Sequence, residues 1–241
     1  MILLDIEGTT TPIAFVTRTL FPYARARLRS YLEQQDSPQH RALLESFRQE
    51  HAADAEAREA VPPWPGSGAG ARTSIEAYAE WLMDRDRKSP ALKELQGRIW
   101  QQGYEDGDLV GEVYPDVPRA FARWRDAGIA LGIFSSGSVL AQQWLFRRSS
   151  AGDLSPFLQR YFDTRVGKKQ DAKSYARIAD EVGEPPPAIL FVSDVVEELN
   201  AARAAGMRTT MTDRPGNAPQ PPHDHCVVRT FDEIELLNKI S

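Results

Sequence analysis

The stretch Met1-Ile2-Leu3-Leu4-Asp5-Ile6-Glu7-Gly8-Thr9-Thr10-Thr11-Pro12 decides how the rest of the chain is read. Ile2-Leu3-Leu4 is a short apolar run, and Gly8, a threonine triplet and Pro12 follow it, which predicts a buried strand emptying into a loop. Asp5 then stands at the carboxyl end of that strand. Glu7 follows two residues later on an irregular turn.

Beyond this strand the texture turns helical from Ala14 to Gly111. Leu20, Ala24, Leu28 and Leu32 share one helical face, and Ile75, Tyr78, Ala79 and Leu82 repeat the spacing. The stretch Val61–Gly70, with Pro62, Pro63, Pro65, Gly66, Gly68 and Gly70, interrupts the helices and predicts a mobile loop between two helical hairpins. After Tyr114-Pro115-Asp116 strands and helices alternate. Helices are expected over Val117–Ala127, Ser138–Phe146, Ala172–Val182 and Glu197–Ala205. Strands are expected over Ala130–Phe134, Tyr161–Asp163 and Ala188–Val192, with a last one at Arg208–Met211. Such alternation implies an α/β fold, a parallel sheet covered by helices on both faces. Ligands of such sheets bind beyond the carboxyl ends of the strands, at the topological switch point. Asp5, Ser135-Ser136-Gly137 and Ser193-Asp194 each follow an apolar strand directly.

Composition narrows the class of partner. The formal charge of −5 supplies no basic field for nucleic acid or an anionic membrane, so neither is expected. Cys226 is the single cysteine, which forbids an internal disulfide and fits a reducing cytoplasm. The apolar start is cut short by Asp5, unlike a secretory signal, and no run approaches the roughly 20 residues of a spanning helix. A cytoplasmic monomer is the expectation.

Each candidate group has a chemical reading and a plainer one. Asp5 and Glu7 can face one hard cation, since Mg²⁺ takes oxygen ligands and keeps several waters; alone they also read as an acidic turn. Ser135-Ser136-Gly137, between a strand and a helix, offers hydroxyls and free N–H groups to a phosphate, or simply caps the helix. Gly167-Lys168-Lys169 precedes a helix, where one lysine can hold a phosphate and offset a carboxylate, although most lysines are solvated. Asp194 adds a carboxylate at another strand end, and Glu197 and Glu198 beyond it suit a helix N-terminus. His40, His51, His223 and His225 fall away from these strand ends. The His223–Cys226 segment reads as an exposed loop. No G-x-S-x-G elbow occurs, which disfavours a serine hydrolase.

Taken in chain order, Asp5-Ile6-Glu7, Ser135-Ser136-Gly137, Lys169 and Asp194 resemble the four motifs of the haloacid dehalogenase superfamily. The run Leu3-Leu4-Asp5-Ile6-Glu7-Gly8-Thr9-Thr10-Thr11-Pro12-Ile13 is similar, more narrowly, to the enolase-phosphatases of methionine salvage. That likeness extends over Asp86-Arg87-Lys88, Ala91–Gly97, Tyr114–Pro118, Phe134–Val139, Ala151–Leu154 and Arg214-Pro215-Gly216-Asn217. Arg147-Arg148 departs from it, since that family usually reads Gly-His there. The resemblance implies a Rossmann-like core of residues 1–13 and 112–241 with an all-helical cap, residues 14–111, inserted after the first strand. It implies one Mg²⁺ per chain touched by Asp5, Glu7 and Asp194, and catalysis by Asp5, Glu7 and Lys169. Ser135, Ser136, Gly137 and Lys169 would bind the substrate and Glu198 would support the lysine. The implied substrate is 2,3-diketo-5-methylthiopentyl-1-phosphate, enolised and then dephosphorylated to the acireductone. A phosphatase of another small sugar phosphate or metabolite is the alternative, and a catalytically silent metabolite-binding protein is the rival from another class.

Overall fold

Ile2–Leu4 forms the first strand, β1, and every one of its residues is buried. The structure is a computed structural model that describes residues 1–34, 37–57, 59–64, 69–87 and 89–235. After β1 come the helices α1 (Ile13–Phe15), α2 (Phe21–Gln34), α3 (Pro38–Glu56), α4 (Ala69–Asp84) and α5 (Pro90–Asp106), with a π-helical turn at Val16–Leu20 joining the first two. Then follow α6 (Val117–Asp126), β2 (Leu131–Phe134), α7 (Val139–Arg147), β3 (Arg160–Phe162), α8 (Ala172–Val182), β4 (Leu190–Ser193), α9 (Val196–Ala204), β5 (Arg208–Thr212) and β6 (Cys226–Val228).

The six strands form one parallel sheet in the order β3-β2-β1-β4-β5-β6. Chain direction across the sheet reverses beside β1, so the switch point lies between β1 and β4, whose ends carry Asp5 and Asp194. The alternation of a strand splits the core into two layers. Leu3 faces α8 and α9 with Phe134, Phe191, Tyr175 and Leu199. Ile2 and Leu4 point the other way, into a cluster shared by Phe121 and Trp124 of α6 and by the helices of α1–α5. Leu20, Ala24, Leu28 and Leu32, and Ile75, Tyr78, Ala79 and Leu82, are all buried there, as their spacing predicts.

Local signals explain where the helices begin. Ser-Pro occurs at the starts of α3 and α5: the Ser37 hydroxyl accepts from His40 N at 3.1 Å and the Ser89 hydroxyl from Leu92 N at 3.0 Å, with proline at the first helical position. Gly107 ends α5 in the left-handed conformation. The chain then re-enters the sheet layer through a backbone clasp, in which Gly111 N donates to Arg148 O and Ser150 N to Gly111 O, both at 2.7 Å. Gly97 of α5 faces α7 closely enough that a Cβ there would stand 2.8 Å from Ser138 Oγ.

Three expectations are corrected. The sheet does not end at β5: Cys226–Val228 adds a sixth strand, paired through Thr210, Met211 and Thr212. His225 is buried rather than in an exposed loop, with Nδ1 2.8 Å from Thr209 Oγ1 and Nε2 3.0 Å from Asn200 Oδ1. The expected loop Val61–Gly70 is shorter at its far end, because α4 already runs at Ala69 and Gly70. Its residues 65–68 lie outside the described residues, as do Lys88 and 236–241. Other element ends agree within one or two residues, the usual fraying of helix and strand termini. Among the described residues no helix is long and apolar enough to cross a membrane.

Candidate active site

Asp5 leaves β1 in full register: its N–H donates to Val192 O at 2.9 Å, so the carboxylate is held at the sheet rim by a ladder bond of β4. The residue is 5% exposed. Oδ1 accepts from Ile6 N at 2.8 Å and from Lys169 Nζ at 2.7 Å. No partner among the described residues takes Oδ2.

Lys169 is 6% exposed and bridges two carboxylates, with Nζ 2.7 Å from Asp5 Oδ1 and 2.6 Å from Glu198 Oε2. Burial alone would drive the proton off this amine; the charges of Asp5 and Glu198 outweigh it and hold the ammonium above its ordinary pKa. Tyr175 fixes the loop by donating to Lys169 O at 2.7 Å. Glu198, on the first turn of α9, also accepts from Ser193 Oγ at 3.1 Å. Its pKa is pushed up by burial and by Asp5, against the pull of Lys169. Lys168 and Glu197, the neighbours that only the resemblance separated from them, are exposed.

Asp194 closes the group from β4. Burial and then the charge of Asp5 push its carboxyl up to about 7. Gly8, at φ +68°, lies directly against it: a Cβ on Gly8 would collide with the Asp194 carboxylate and stand 2.8 Å from Asn217 Oδ1. The turn bearing Glu7 is wound tightly, with Thr9, Thr10 and Thr11 N–H groups all directed at Ile6 O and Gly8 N donating to Thr11 O at 2.9 Å. Glu7 is part-buried and bridges to Thr11 through the backbone.

Ser135 and Gly137 end β2 one strand away. Ser135 is buried, its Oγ accepting from Gly137 N at 3.2 Å, and Gln142 Nε2 donates to Gly137 O at 2.9 Å. Ser136 is exposed. Ser138, not Ser135 or Ser136, caps α7, accepting from Ala141 N at 3.3 Å. The capping alternative therefore falls to the neighbouring serine, and the Ser135–Gly137 loop is left for other uses. No hydrogen bond among the described residues joins it to Asp5.

Two contributors escape a reading of the sequence. Asp116 and Arg214 form a buried bidentate pair at 2.9 and 2.8 Å, and Arg214 Nε reaches Thr9 O at 3.2 Å. Asn217 Nδ2 donates to Gly8 O at 3.0 Å. Arg214-Pro215-Gly216-Asn217 stood out only through resemblance, since an Arg or Asn in a Pro/Gly loop carries no periodic signal.

The donor chemistry can be tested for a metal. Among the described residues no three of His, Cys, Asp and Glu form a ready cage. Mg²⁺ does not need one, because it keeps much of its water and takes one or two carboxylates. Asp5 and Glu198 share one lysine, so with Asp194 the carboxylates outnumber the charge that offsets them, and the missing Cβ of Gly8 lets the Asp194 carboxylate lie against the turn that bears Glu7. The residues fit a hard divalent cation.

The chain matches the family described as haloacid dehalogenase-like hydrolase over residues 1–206. It is 51% identical over 234 residues to the enolase-phosphatase E1 of Synechococcus elongatus, covering 97% of this chain and 96% of that one. It is 45% identical over 222 residues to the enolase-phosphatase E1 of Drosophila persimilis, covering 91% and 86%. Among solved structures, the unknown transcript 4 protein of Saccharomyces cerevisiae superposes with a TM-score of 0.78 at 34% identity, over 97% of this chain and 99% of that one. CbbY of Rhodobacter sphaeroides in complex with phosphate shares the fold at a TM-score of 0.59 and 19% identity, over 96% and 94%.

Proposed function

The chain belongs to the haloacid dehalogenase-like hydrolases and, within them, to the enolase-phosphatase family, and on that premise we propose that it converts 2,3-diketo-5-methylthiopentyl-1-phosphate to acireductone and phosphate in methionine salvage. The observation that carries the assignment of roles is Lys169, buried and bonded at once to Asp5 and Glu198, with Asp194 across from them at the sheet's switch point.

Asp5 is the nucleophile. Ile6 N and Lys169 orient its carboxylate through Oδ1, a carboxylate oxygen attacks phosphorus, the bond from phosphorus to the substrate oxygen breaks, and an aspartyl-phosphate forms. Lys169 lowers the repulsion between carboxylate and phosphate and is itself kept charged and aimed by Glu198. Glu7 delivers a proton to the leaving oxygen, then takes one from the water that cleaves the acyl phosphate. Ser135, Ser136 and Gly137 supply hydroxyls and a backbone N–H to the phosphoryl oxygens. One Mg²⁺ per chain, held by the Asp5 and Asp194 carboxylates and the Glu7 carbonyl, would neutralise phosphoryl charge and acidify the proton next to the dicarbonyl in the enolisation.

Residues 14–111 act as a cap over a core made of 1–13 and 112–241, with the Gly111 clasp as one junction. The protein works as a cytoplasmic monomer on a small phosphate ester. The test is an assay of the diketo phosphate beside simple sugar phosphates. Acireductone and phosphate released in equal amounts, with the simple esters turned over far more slowly, is the expected result; equal rates on all esters would replace this reading with that of a broader phosphatase.

A further inference from the structure

The turn that carries Glu7 is held from β5 by more than one side chain. The Gly8 carbonyl accepts from Thr212 Oγ1 at 3.2 Å and from Asn217 Nδ2 at 3.0 Å. Asn217 Nδ2 donates again to Thr212 O at 3.2 Å. Two carbonyls converging on one nitrogen fix the orientation of the carboxamide, because its oxygen turned that way would meet two acceptors and no donor.

Oδ1 is therefore committed to the opposite side, where it is buried and no donor among the described residues reaches it. Buried polar atoms are almost always paired, so each orphan calls for an explanation. The side it faces is the one on which Gly8 packs against Asp194. A Cβ on Gly8 would collide with the Asp194 carboxylate and stand 2.8 Å from Asn217 Oδ1, so both oxygens lie close against the same face of Gly8.

We infer that Asn217 is a positioning residue for the divalent cation: Nδ2 fixes the turn that presents the Glu7 carbonyl, and Oδ1 accepts a hydrogen bond from the cation's retained water beside Asp194. The inference rests on the cation-dependent reading given above. A cation that keeps its water needs acceptors around the ligands, and such outer partners typically tune metal affinity by about 10–100-fold. A purely structural Asn217 would staple the loop to β5 and do nothing else. Thr212 separates the two roles, because Thr212→Val removes a donor to the same Gly8 carbonyl while leaving Oδ1 in place.

The experiment titrates the full chain with Mn²⁺ as the probe, free ion being counted by electron paramagnetic resonance, with no substrate present and melting in chelator as the fold control. Asn217→Ala is expected to weaken Mn²⁺ binding about 10–100-fold. Thr212→Val should stay within about threefold of wild type, the span taken here as no effect beside that shift. An Asn217→Ala affinity within threefold of wild type overturns the inference, as does Thr212→Val weakening the ion as much as Asn217→Ala. If Asn217→Ala melts too low to titrate, Asn217→Ser is held to the same expectation and the same threshold. Wild type that takes up no Mn²⁺ overturns the cation reading itself, whereas wild type that binds while the Asn217 variants bind equally well overturns this inference alone.

Discussion

Arg214→Met isolates the cost of leaving one buried carboxylate without its partner. The Arg214 guanidinium lies between the rings of Tyr114 and Phe231, 4.5 and 4.7 Å from their centroids, and grips Asp116 with two parallel bonds. It also serves Arg229 O at 2.9 Å and Thr9 O at 3.2 Å. Methionine fills much of the volume and donates nothing. Asp116 would keep only the Phe231 N–H, at 2.6 Å, in a site where its side chain is 5% exposed. Breaking a buried pair from one side costs about 3–5 kcal/mol, chiefly because the remaining charge is uncompensated. For a chain of this size about 2–4 °C is lost per kcal/mol, so melting should fall by roughly 6–20 °C. Scanning calorimetry in excess chelator reads this without a contribution from cation binding. The double variant Asp116→Leu with Arg214→Met should melt well above Arg214→Met, because no unpaired charge remains. A single variant that melts within about 2 °C of wild type, less than 1 kcal/mol by the same conversion, would refute the reasoning. So would a double variant that melts no higher than the single one, since the loss would then be packing rather than charge.

Asp5→Asn should abolish turnover with the melting temperature preserved, because the amide keeps the shape and loses the nucleophile; phosphate release within tenfold of wild type would remove Asp5 from that role. Excess chelator should stop enolisation and dephosphorylation together, and added Mg²⁺ should restore both, whereas full activity in chelator would exclude a metal role. Glu7→Gln should slow phosphate release by about 10²–10⁴-fold, the usual contribution of a general acid. If another group is the enolisation base, that variant should accumulate a conjugated enol phosphate visible in the ultraviolet; unimpaired phosphate release would show that Glu7 moves no proton.

What could be read from the sequence follows how local each signal is. α8 begins and ends where Ala172 and Val182 predict, because Asp171 caps it, accepting from Lys173 N at 2.9 Å, and Gly183 stops it in the left-handed conformation. The strand ends bearing Asp5, Ser135 and Asp194 were legible because short apolar runs end abruptly on polar residues. β6 was not, because Cys226–Val228 is three residues long and two of them are exposed, so that only pairing with β5 defines it. Local signals alone did not tell Lys168 from Lys169; only the resemblance named Lys169, since loop geometry decides which is buried. The steric demand on Gly8 comes from Asp194 and Asn217, far along the chain, and the Asp116–Arg214 pair likewise joins residues 98 positions apart. Such contacts leave no period in the sequence.

The central position of β1 has a consequence for biosynthesis. Leu3 pairs with Gly132 on one side and Phe191 on the other, so both edges of the strand that presents Asp5 wait for residues made much later. At about 5–20 residues per second, the first partner is roughly 6–26 seconds behind it. Through that interval Ile2-Leu3-Leu4 is an apolar segment with unpaired N–H and C=O groups on both sides, the chemistry that templates intermolecular pairing. The helices of α1–α5 are translated during the same interval, and the hydrogen bonds within each are local, the kind that forms fastest. Leu4 and Ile6 share an apolar cluster with them. These helices are thus the earliest surface on which the nascent strand can be sheltered, and variants that loosen them should raise aggregation during expression before they alter the rate of any chemical step.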